Sequence, residues 1–151
     1  MGIEIKLDMQ AIKAIEDAAV KSAEVAMEQV KSDVINTVPL DQGGLQNSIY
    51  VDVREQEDGT HVFLDHDCLY ARYLYYGNKM VDADTGKGPA FIENVGYRFR
   101  QGAKLKVKQP IEKLKFKNGR TDHWLEPYIT GSKKDLAKNE FVAEFKKRTG
   151  V

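Results

Sequence analysis

The hydrophobic and polar positions of the amino-terminal quarter of the chain follow a helical period. Apolar side chains recur at spacings of three and four, and no glycine or proline occurs between Ile3 and Pro39. Such spacing places side chains on one face of an α-helix. We therefore predict a helix of about 29 residues, roughly 44 Å long, that begins after an N-cap at Asp8 and ends at Pro39. Its apolar stripe comprises Ile12, Ile15, Ala19, Ala23, Met27, Val30, Val34 and Val38.

A corner follows this predicted helix. Proline ends a helix, and two adjacent glycines allow a sharp reversal of the backbone. Phosphate-binding glycine loops run from a strand into a helix, whereas this glycine pair leads from a helix toward a strand. We therefore interpret the segment as a hinge rather than an anion site, with Pro39, Asp41, Gly43 and Gly44 as its residues.

After the corner the apolar period changes from three or four residues to two. Ile49, Val51 and Val53 alternate with polar residues, Asp58-Gly59 marks a tight turn, and a second alternating run returns through Leu64. Alternation around such a turn is typical of an antiparallel hairpin.

A tyrosine-rich segment then ends at Gly77. It fits a short helical turn capped by that glycine, or a strand edge. Tyrosine and tryptophan are enriched at protein interfaces. Packing against the domain's own core is still the default expectation for two or three of the four tyrosines. The candidate interface residues are Tyr70, Tyr73, Tyr75, Tyr76 and Trp124.

The next segments predict a flexible loop at residues 78–90 and then a basic ribbon. Two runs, 104–108 and 112–117, alternate lysine with apolar residues and predict two paired strands with one lysine-coated face. That face fits a contact with DNA phosphates or with an acidic partner, but lysine on exposed strands also discourages edge-to-edge pairing. Its residues are Lys104, Lys106, Lys108, Lys113, Lys115 and Lys117.

The carboxy-terminal segment predicts a last helix, from a capping-box pattern at residues 132–135 to about Arg148. Its apolar face is Leu136, Ala137, Phe141 and Phe145. Helices and strands do not alternate as in parallel βαβ folds. We therefore predict a single α+β domain over residues 1–151, in which a long amino-terminal amphipathic helix packs on an antiparallel sheet, with a short middle helix and a carboxy-terminal helix.

Charge and cysteine content change this picture in two ways. The net charge is zero, but residues 1–97 carry 8 Lys/Arg against 17 Asp/Glu, whereas residues 98–120 carry 9 Lys/Arg against Glu112 alone. This asymmetry fits head-to-tail packing of copies, two different partners, or a basic segment that covers acidic elements of the same fold. The lone Cys68 cannot form an intramolecular disulfide and is compatible with a reducing cytoplasm. No apolar run approaches the ~18 residues of a membrane span.

Two stretches carry residue types used in catalysis. Residues 65–68 read Asp-His-Asp-Cys, but adjacent side chains of an extended chain point to opposite faces, which favours a polar turn over a metal site. Ser48 with His61 or His66 raises a hydrolase as a further hypothesis, although neither a nucleophile elbow nor an oxyanion loop is present. We expect no catalytic residue, metal or cofactor, and hence no enzyme.

Three short motifs stand in order along the chain. The first is Pro39, Asp41, Gly43, Leu45, Ser48 and Ile49, after the predicted long helix. The second is Tyr70, Ala71, Tyr73, Tyr76 and Gly77, and the third is residues 124–127 (Trp-Leu-Glu-Pro), before the last predicted helix. Together they resemble the minor capsid or tail-completion family of long-tailed bacteriophages, and the third resembles the family's closing segment. Gln42 and Tyr75 depart from the pattern, because that family favours threonine and an acidic residue there.

The resemblance implies a structural virion protein at the head–tail junction of a phage or prophage, made in the host cytoplasm and assembled as a ring. A ring of identical subunits needs two different complementary patches on each subunit. The implied partners are further copies of the chain and other neck or tail proteins, with a non-specific contact to genomic DNA and no membrane. The alternative is a nucleic-acid-binding domain that uses the lysine-rich residues 104–120.

Overall fold

The computed structural model describes residues 1–39, 44–68, 70–94 and 96–151. The helices of this part are α1 (Met9–Val34), α2 (Gly44–Asn47), α3 (Ala71–Tyr75), α4 (Glu126–Ile129) and α5 (Leu136–Thr149). The strands are β1 (Ile49–Gln56), β2 (Gly59–His66), β3 (Met80–Asp82), β4 (Ala90–Ile92), β5 (Gly96–Arg98) and β6 (Leu105–Val107). They pair as β1–β2, β3–β6 and β4–β5, all antiparallel. The predicted α+β class is confirmed.

Helix α1 begins at the predicted N-cap, because the Asp8 carboxylate accepts the backbone N–H groups of Gln10 and Ala11 at 3.1 Å. It ends earlier than predicted, at Val34, and the chain continues in turns to Pro39. The core closes around the carboxy-terminal half of the helix, where Val34 is fully buried. The early part of the predicted stripe, such as Ile15, therefore stays exposed.

Strands β1 and β2 form the predicted hairpin. Gln56 pairs with Gly59, which leaves Glu57 and Asp58 as the two turn residues. Gly59 has a φ of 134°, a conformation that favours glycine. Ile49 joins the core cluster around α1, so one face of this hairpin packs on the helix.

Helix α5 packs against α1 through its predicted apolar face, which is half-buried. The capping box predicted at residues 132–135 is wrong, because the helix begins at Leu136 and its N-cap, Asp135, makes no side-chain capping bond. The chain turns before the helix instead, and the Leu136 N–H bonds to the Lys133 carbonyl at 3.0 Å.

The predicted lysine ribbon is also wrong. Strand β6 pairs with β3, with Lys106 opposite Val81, and residues 112–117 contribute only a single bridge between Asn78 and Lys113. The segment 78–90, predicted to be a loop, therefore contains strand β3. The physical reason is that Val81 is buried, so its strand takes a paired position inside the fold.

The corner after α1 is held by side chains from distant parts of the chain. The Arg120 guanidinium donates to the carbonyls of Ile35 (2.9 Å) and Val38 (3.1 Å), and the Gln46 amide donates to Ile35 at 2.7 Å. Pro39 is buried and Gly44 opens α2. The other two predicted hinge residues, Asp41 and Gly43, lie outside the described residues.

None of the described helices combines the length and the apolar character that crossing a membrane would require.

Candidate functional site

The four tyrosines of the candidate interface divide between the fold's interior and its surface. Helix α3 forms the predicted helical turn, and it ends at Gly77, whose φ is 68°. Tyr73 donates its hydroxyl to the Leu105 carbonyl at 3.1 Å and so ties α3 to β6. Tyr70, Tyr73 and Tyr75 are half-buried, and the side chain of Tyr76 is exposed. Packing within the domain, the default expectation for two or three of the tyrosines, therefore describes three of the four.

Trp124 lies in the core and not at a surface. Only 1% of it is exposed, and the Tyr75 ring meets it edge-on at 5.0 Å between centroids. The indole N–H donates to Nε2 of His66 at 3.4 Å. The prediction that Trp124 belongs to an interface is therefore wrong for this fold, because its own chain encloses the ring.

The predicted basic face divides into structural and projecting lysines. Lys108 and Lys79 both pair with Glu112, and these two cations lower the pKa of that carboxyl to about 2. Lys113 donates to the Tyr76 carbonyl and to Oδ1 of Asn78, both at 2.9 Å. The remaining lysines are Lys104, Lys106, Lys115 and Lys117. All four are exposed, and the residues that alternate with them are half-buried.

A groove runs between the tyrosine segment and the lysine segment. Its volume is about 900 Å³, and its described lining contains six basic residues but no Asp or Glu. The cations are Lys79, Arg98, Lys108, Lys115, Lys117 and Arg120. Apolar side chains form much of the wall, among them Leu45, Leu74, Met80, Val81, Leu114 and Phe116. An apolar groove with a basic rim suits an amphipathic segment that carries acidic residues.

Large apolar side chains are exposed in several described segments, and they cluster in two of them. On the β4–β5 hairpin, Phe91 is 67% exposed and Tyr97 is 58% exposed, and their rings lie 5.3 Å apart between centroids. At the amino terminus, Ile3, Ile5 and Leu7 are 97%, 81% and 68% exposed. Clustered exposed apolar side chains mark surfaces that bind other molecules.

The sequence did not single out two ion-pair networks that connect elements far apart in the chain. Asp33 of α1 accepts the Tyr128 hydroxyl at 2.8 Å and pairs with Lys133, and both contacts lower the pKa of its carboxyl. Asp82 accepts Arg100 at 2.5 Å, which lowers the pKa of Asp82 in the same way. For Asp82 the run Asp-Ala-Asp-Thr-Gly signals a turn, whereas no local signal marks Asp33.

The residue types suggestive of catalysis have separate partners. The Ser48 hydroxyl donates to the Leu45 carbonyl at 2.7 Å, His61 contacts the Asp58 carboxylate at 2.7 Å, and His66 faces Trp124. Asp65 pairs with Arg54 on the other face of β2 from His66. The described residues contain no group of three His, Cys, Asp or Glu side chains placed to hold a metal ion.

Comparison with known proteins gave no matching family model, no matching curated protein and no matching solved structure.

Proposed function

We propose that this chain is a non-enzymatic structural subunit at the head–tail junction of a long-tailed bacteriophage, where it forms part of a ring and binds neighbouring neck or tail proteins. The observation that carries the proposal is the exposed apolar surface of the β4–β5 hairpin, centred on Phe91 and Tyr97. The short motifs described above, which resemble the minor capsid and tail-completion family, supply the virion context.

The chemistry of the charged groups supports a docking role. Perturbed pKa values mark catalytic sites when the groups converge in a cleft, but they also arise from structural ion pairs. Here three carboxyls with lowered pKa values, Asp33, Asp82 and Glu112, are each paired with a lysine or arginine that joins two parts of the fold, and another, Asp58, contacts His61 of the same hairpin. Their charges contribute to holding the elements together.

The groove, which Tyr97 of the hairpin also lines, adds charge to this surface. Its basic residues and the acidic excess of residues 1–97 are complementary in charge. A head-to-tail ring requires two unlike, complementary patches on each subunit. The basic groove of one copy and acidic residues of the next therefore suit a contact between successive subunits, and the groove also suits an acidic neck protein.

A deletion of the gene in the phage that encodes the chain tests this function. Lysates are expected to contain DNA-filled heads and unattached tails, and adding the purified chain is expected to restore joined virions. A Phe91→Asp/Tyr97→Asp variant is expected to fail in this restoration, while Val142→Asp, an exposed apolar position on α5, is expected to restore. Normal virions from the deletion would contradict the proposal.

The second candidate function is nucleic-acid binding through Lys104, Lys106, Lys115 and Lys117. The observation that favours it is that these four lysines project from the fold at alternate positions. Each phosphate contact contributes about 0.9 to the slope of log affinity against log salt for duplex DNA. Replacing all four lysines with glutamine is therefore expected to reduce that slope by about 3 to 4.

A matched variant separates such binding from net charge. Lys134, Lys138, Lys146 and Lys147 are also exposed, and they lie on or next to α5. Their replacement with glutamine removes the same charge from another surface. Equal slopes for the two variants, or no measurable DNA affinity at low salt, would exclude this candidate function.

A further inference from the structure

Residues 1–7 form an amino-terminal arm that makes no backbone hydrogen bond to another element within the described part of the chain. Ile3, Ile5 and Leu7 alternate with Glu4 and Lys6, which is the pattern of a strand with one apolar face. All of these side chains are exposed. Residues 1–7 also belong to no helix or strand of the described chain.

The β1–β2 hairpin offers an unpaired strand edge. The Asp67 N–H donates to the Ser48 carbonyl at 2.8 Å, next to the pair Ile49–His66. Hydrogen-bonded and non-hydrogen-bonded pairs alternate along an antiparallel ladder. The N–H and C=O groups of Val51 and Val53 therefore point away from β2, and no third strand covers them among the described residues.

Charge favours one register of the arm on this edge. With the arm antiparallel to β1 and Ile5 opposite Val53, Leu7 lies opposite Val51. Glu4 then lies opposite Arg54 and Lys6 opposite Asp52, so the arm extends the ion pairs that Arg54 makes with Asp52 and Asp65 of its own chain. Opposite charges on facing positions stabilise a strand pair, and like charges destabilise it.

The neighbouring alternatives are less favourable. Moving the arm by two residues, so that Ile5 faces Val51, places Glu4 opposite Asp52, a pair of like charges. On the outward face of β2, only Asp65 is available besides the aromatic residues His61 and Phe63. Only one of the two charges of the arm could therefore be matched there.

The lengths of the elements favour a second copy as the partner. Val34 lies about 38 Å along α1 from Met9, and Val53 lies about 13 Å along β1 from Ile49, which packs near Val34. Val51, which faces Leu7 in this register, lies only about 7 Å along β1 from Ile49, so the distance left between Met9 and Val51 of one chain is on the order of 25 Å. The two residues from Leu7 to Met9 span at most about 7 Å, and the spacing between paired strands adds only about 5 Å.

We propose that residues 3–7 of one copy add as an antiparallel strand to the outer edge of β1 in a second copy, with Ile5 opposite Val53. This is strand addition between identical chains, in which backbone hydrogen bonds supply affinity and alternate side chains supply register. The inference names one contact between copies and so rests on the self-assembly in the proposed function.

Disulfide trapping tests this register. In a Cys68→Ser background, one sample of the full chain carries Lys6→Cys and another carries Asp52→Cys, and the two are mixed and oxidised. A non-hydrogen-bonded antiparallel pair has Cα atoms about 4.5 Å apart, within reach of a disulfide. The expected result is a cross-linked heterodimer at least about ten times more abundant than in a mixture of Lys6→Cys with His61→Cys, on the opposite edge of the hairpin.

Two outcomes would overturn the inference. One is equal or absent cross-linking in the two mixtures. The other is an intramolecular disulfide in the Lys6→Cys/Asp52→Cys double variant without any cross-link between separate chains, which would place the arm on its own β1. Cross-linking without any loss of virions in the gene deletion would contradict the proposed function and leave this contact standing.

A proline pair gives a second readout that does not depend on cysteines. In the proposed register the Ile5 N–H bonds to β1, whereas the Lys6 N–H points away from it. Ile5→Pro is therefore expected to weaken self-association, measured by sedimentation, by at least about tenfold, and Lys6→Pro is expected to change it by much less. Equal effects of the two prolines would contradict strand addition.

Discussion

At the scale of single residues, Trp124 is the side chain around which the carboxy-terminal segment packs. Its ring contacts Tyr75 and His66 and is almost wholly enclosed. Large-to-small substitution of such a residue removes buried apolar area and leaves a cavity. Trp124→Ala is therefore expected to lower the free energy of unfolding by about 3 to 5 kcal/mol in urea titrations.

The matched control for Trp124 is Tyr76→Ala, because Tyr76 also belongs to the aromatic cluster but is exposed. Tyr76→Ala is expected to lower the free energy of unfolding by no more than about 1 kcal/mol. Similar losses for the two variants would show that Trp124 does not organise the core.

His66 is the residue whose titration we expect to couple the stability of the fold to pH. Burial lowers the pKa of His66 below its ordinary value of 6.5, and the neighbouring Asp65 opposes this shift more weakly. Because Nε2 accepts the Trp124 indole N–H, the neutral ring carries its proton on Nδ1, which has no hydrogen-bond partner among the described residues. The folded state therefore favours the neutral imidazole.

The sign of the resulting pH dependence follows from this pKa. Below 6.5 the unfolded chain binds more protons at His66 than the folded chain does, so stability falls as the pH decreases through 6.5 toward the lower folded pKa. We therefore expect the free energy of unfolding to fall as the pH decreases below about 6.5.

His66→Gln is expected to flatten this part of the profile, and His61→Gln, in the exposed hairpin, is expected to preserve it. The carboxyls with lowered pKa values make the stability depend on pH only in a more acidic range, because their ordinary pKa values are 3.8 and 4.5. An unchanged slope in His66→Gln would assign the pH response to other groups.

At the scale of elements, local patterns predicted α1, the β1–β2 hairpin, α3 and α5. Each depends on contacts between residues close in the chain, such as the Asp8 cap and the turn before Gly59. The pairing of β3 with β6 joins segments more than 20 residues apart. Alternation of lysine with apolar residues indicates which side of a strand is exposed but not which strand lies beside it, and for this reason the ribbon prediction failed.

The turn after β3 is held by charge. Arg100 donates to Asp82 and to Asp84, and the Asp84 N–H donates to Oδ1 of Asp82 at 2.9 Å. The Gly86 N–H bonds to the Asp82 carbonyl at 2.8 Å. Arg100→Gln is expected to speed amide hydrogen exchange at Asp84 and Gly86 by about tenfold without changing exchange in α1, since the loss is local.

Lys87→Gln is the control for this turn, because Lys87 is an exposed cation only one residue after Gly86. It is expected to leave exchange at both amides unchanged. Faster exchange throughout the chain in Arg100→Gln would show instead that the ion pair stabilises the whole fold.

At the scale of the whole molecule, the charge asymmetry was visible in the sequence, but its arrangement in space was not. The sequence could not show that Lys108 and Lys113 are used inside the fold, or that basic residues line the rim of a groove. It also could not show which apolar side chains remain uncovered, since exposure of Phe91 and Tyr97 depends on packing that no local pattern determines.

Self-association that depends on these charges is expected to weaken with salt. In about 1 M salt the Debye length is only about 3 Å, so attraction between the basic rim and acidic surface of another copy is screened. Sedimentation is expected to show larger species at low salt than at high salt. Replacing Lys115 and Lys117, which line the groove, with glutamine is expected to reduce this difference. Identical sedimentation at all salt concentrations would contradict a charge-driven contact.

Whether the chain is a structural part of the phage neck is tested most directly on purified virions of the phage that encodes it. Mass spectrometry is expected to detect the chain in those virions, and electron cryomicroscopy is expected to show a ring of copies between head and tail that accommodates α1 and the β1–β2 hairpin. Virions that lack the chain, or a neck density that cannot accommodate this fold, would contradict a structural role.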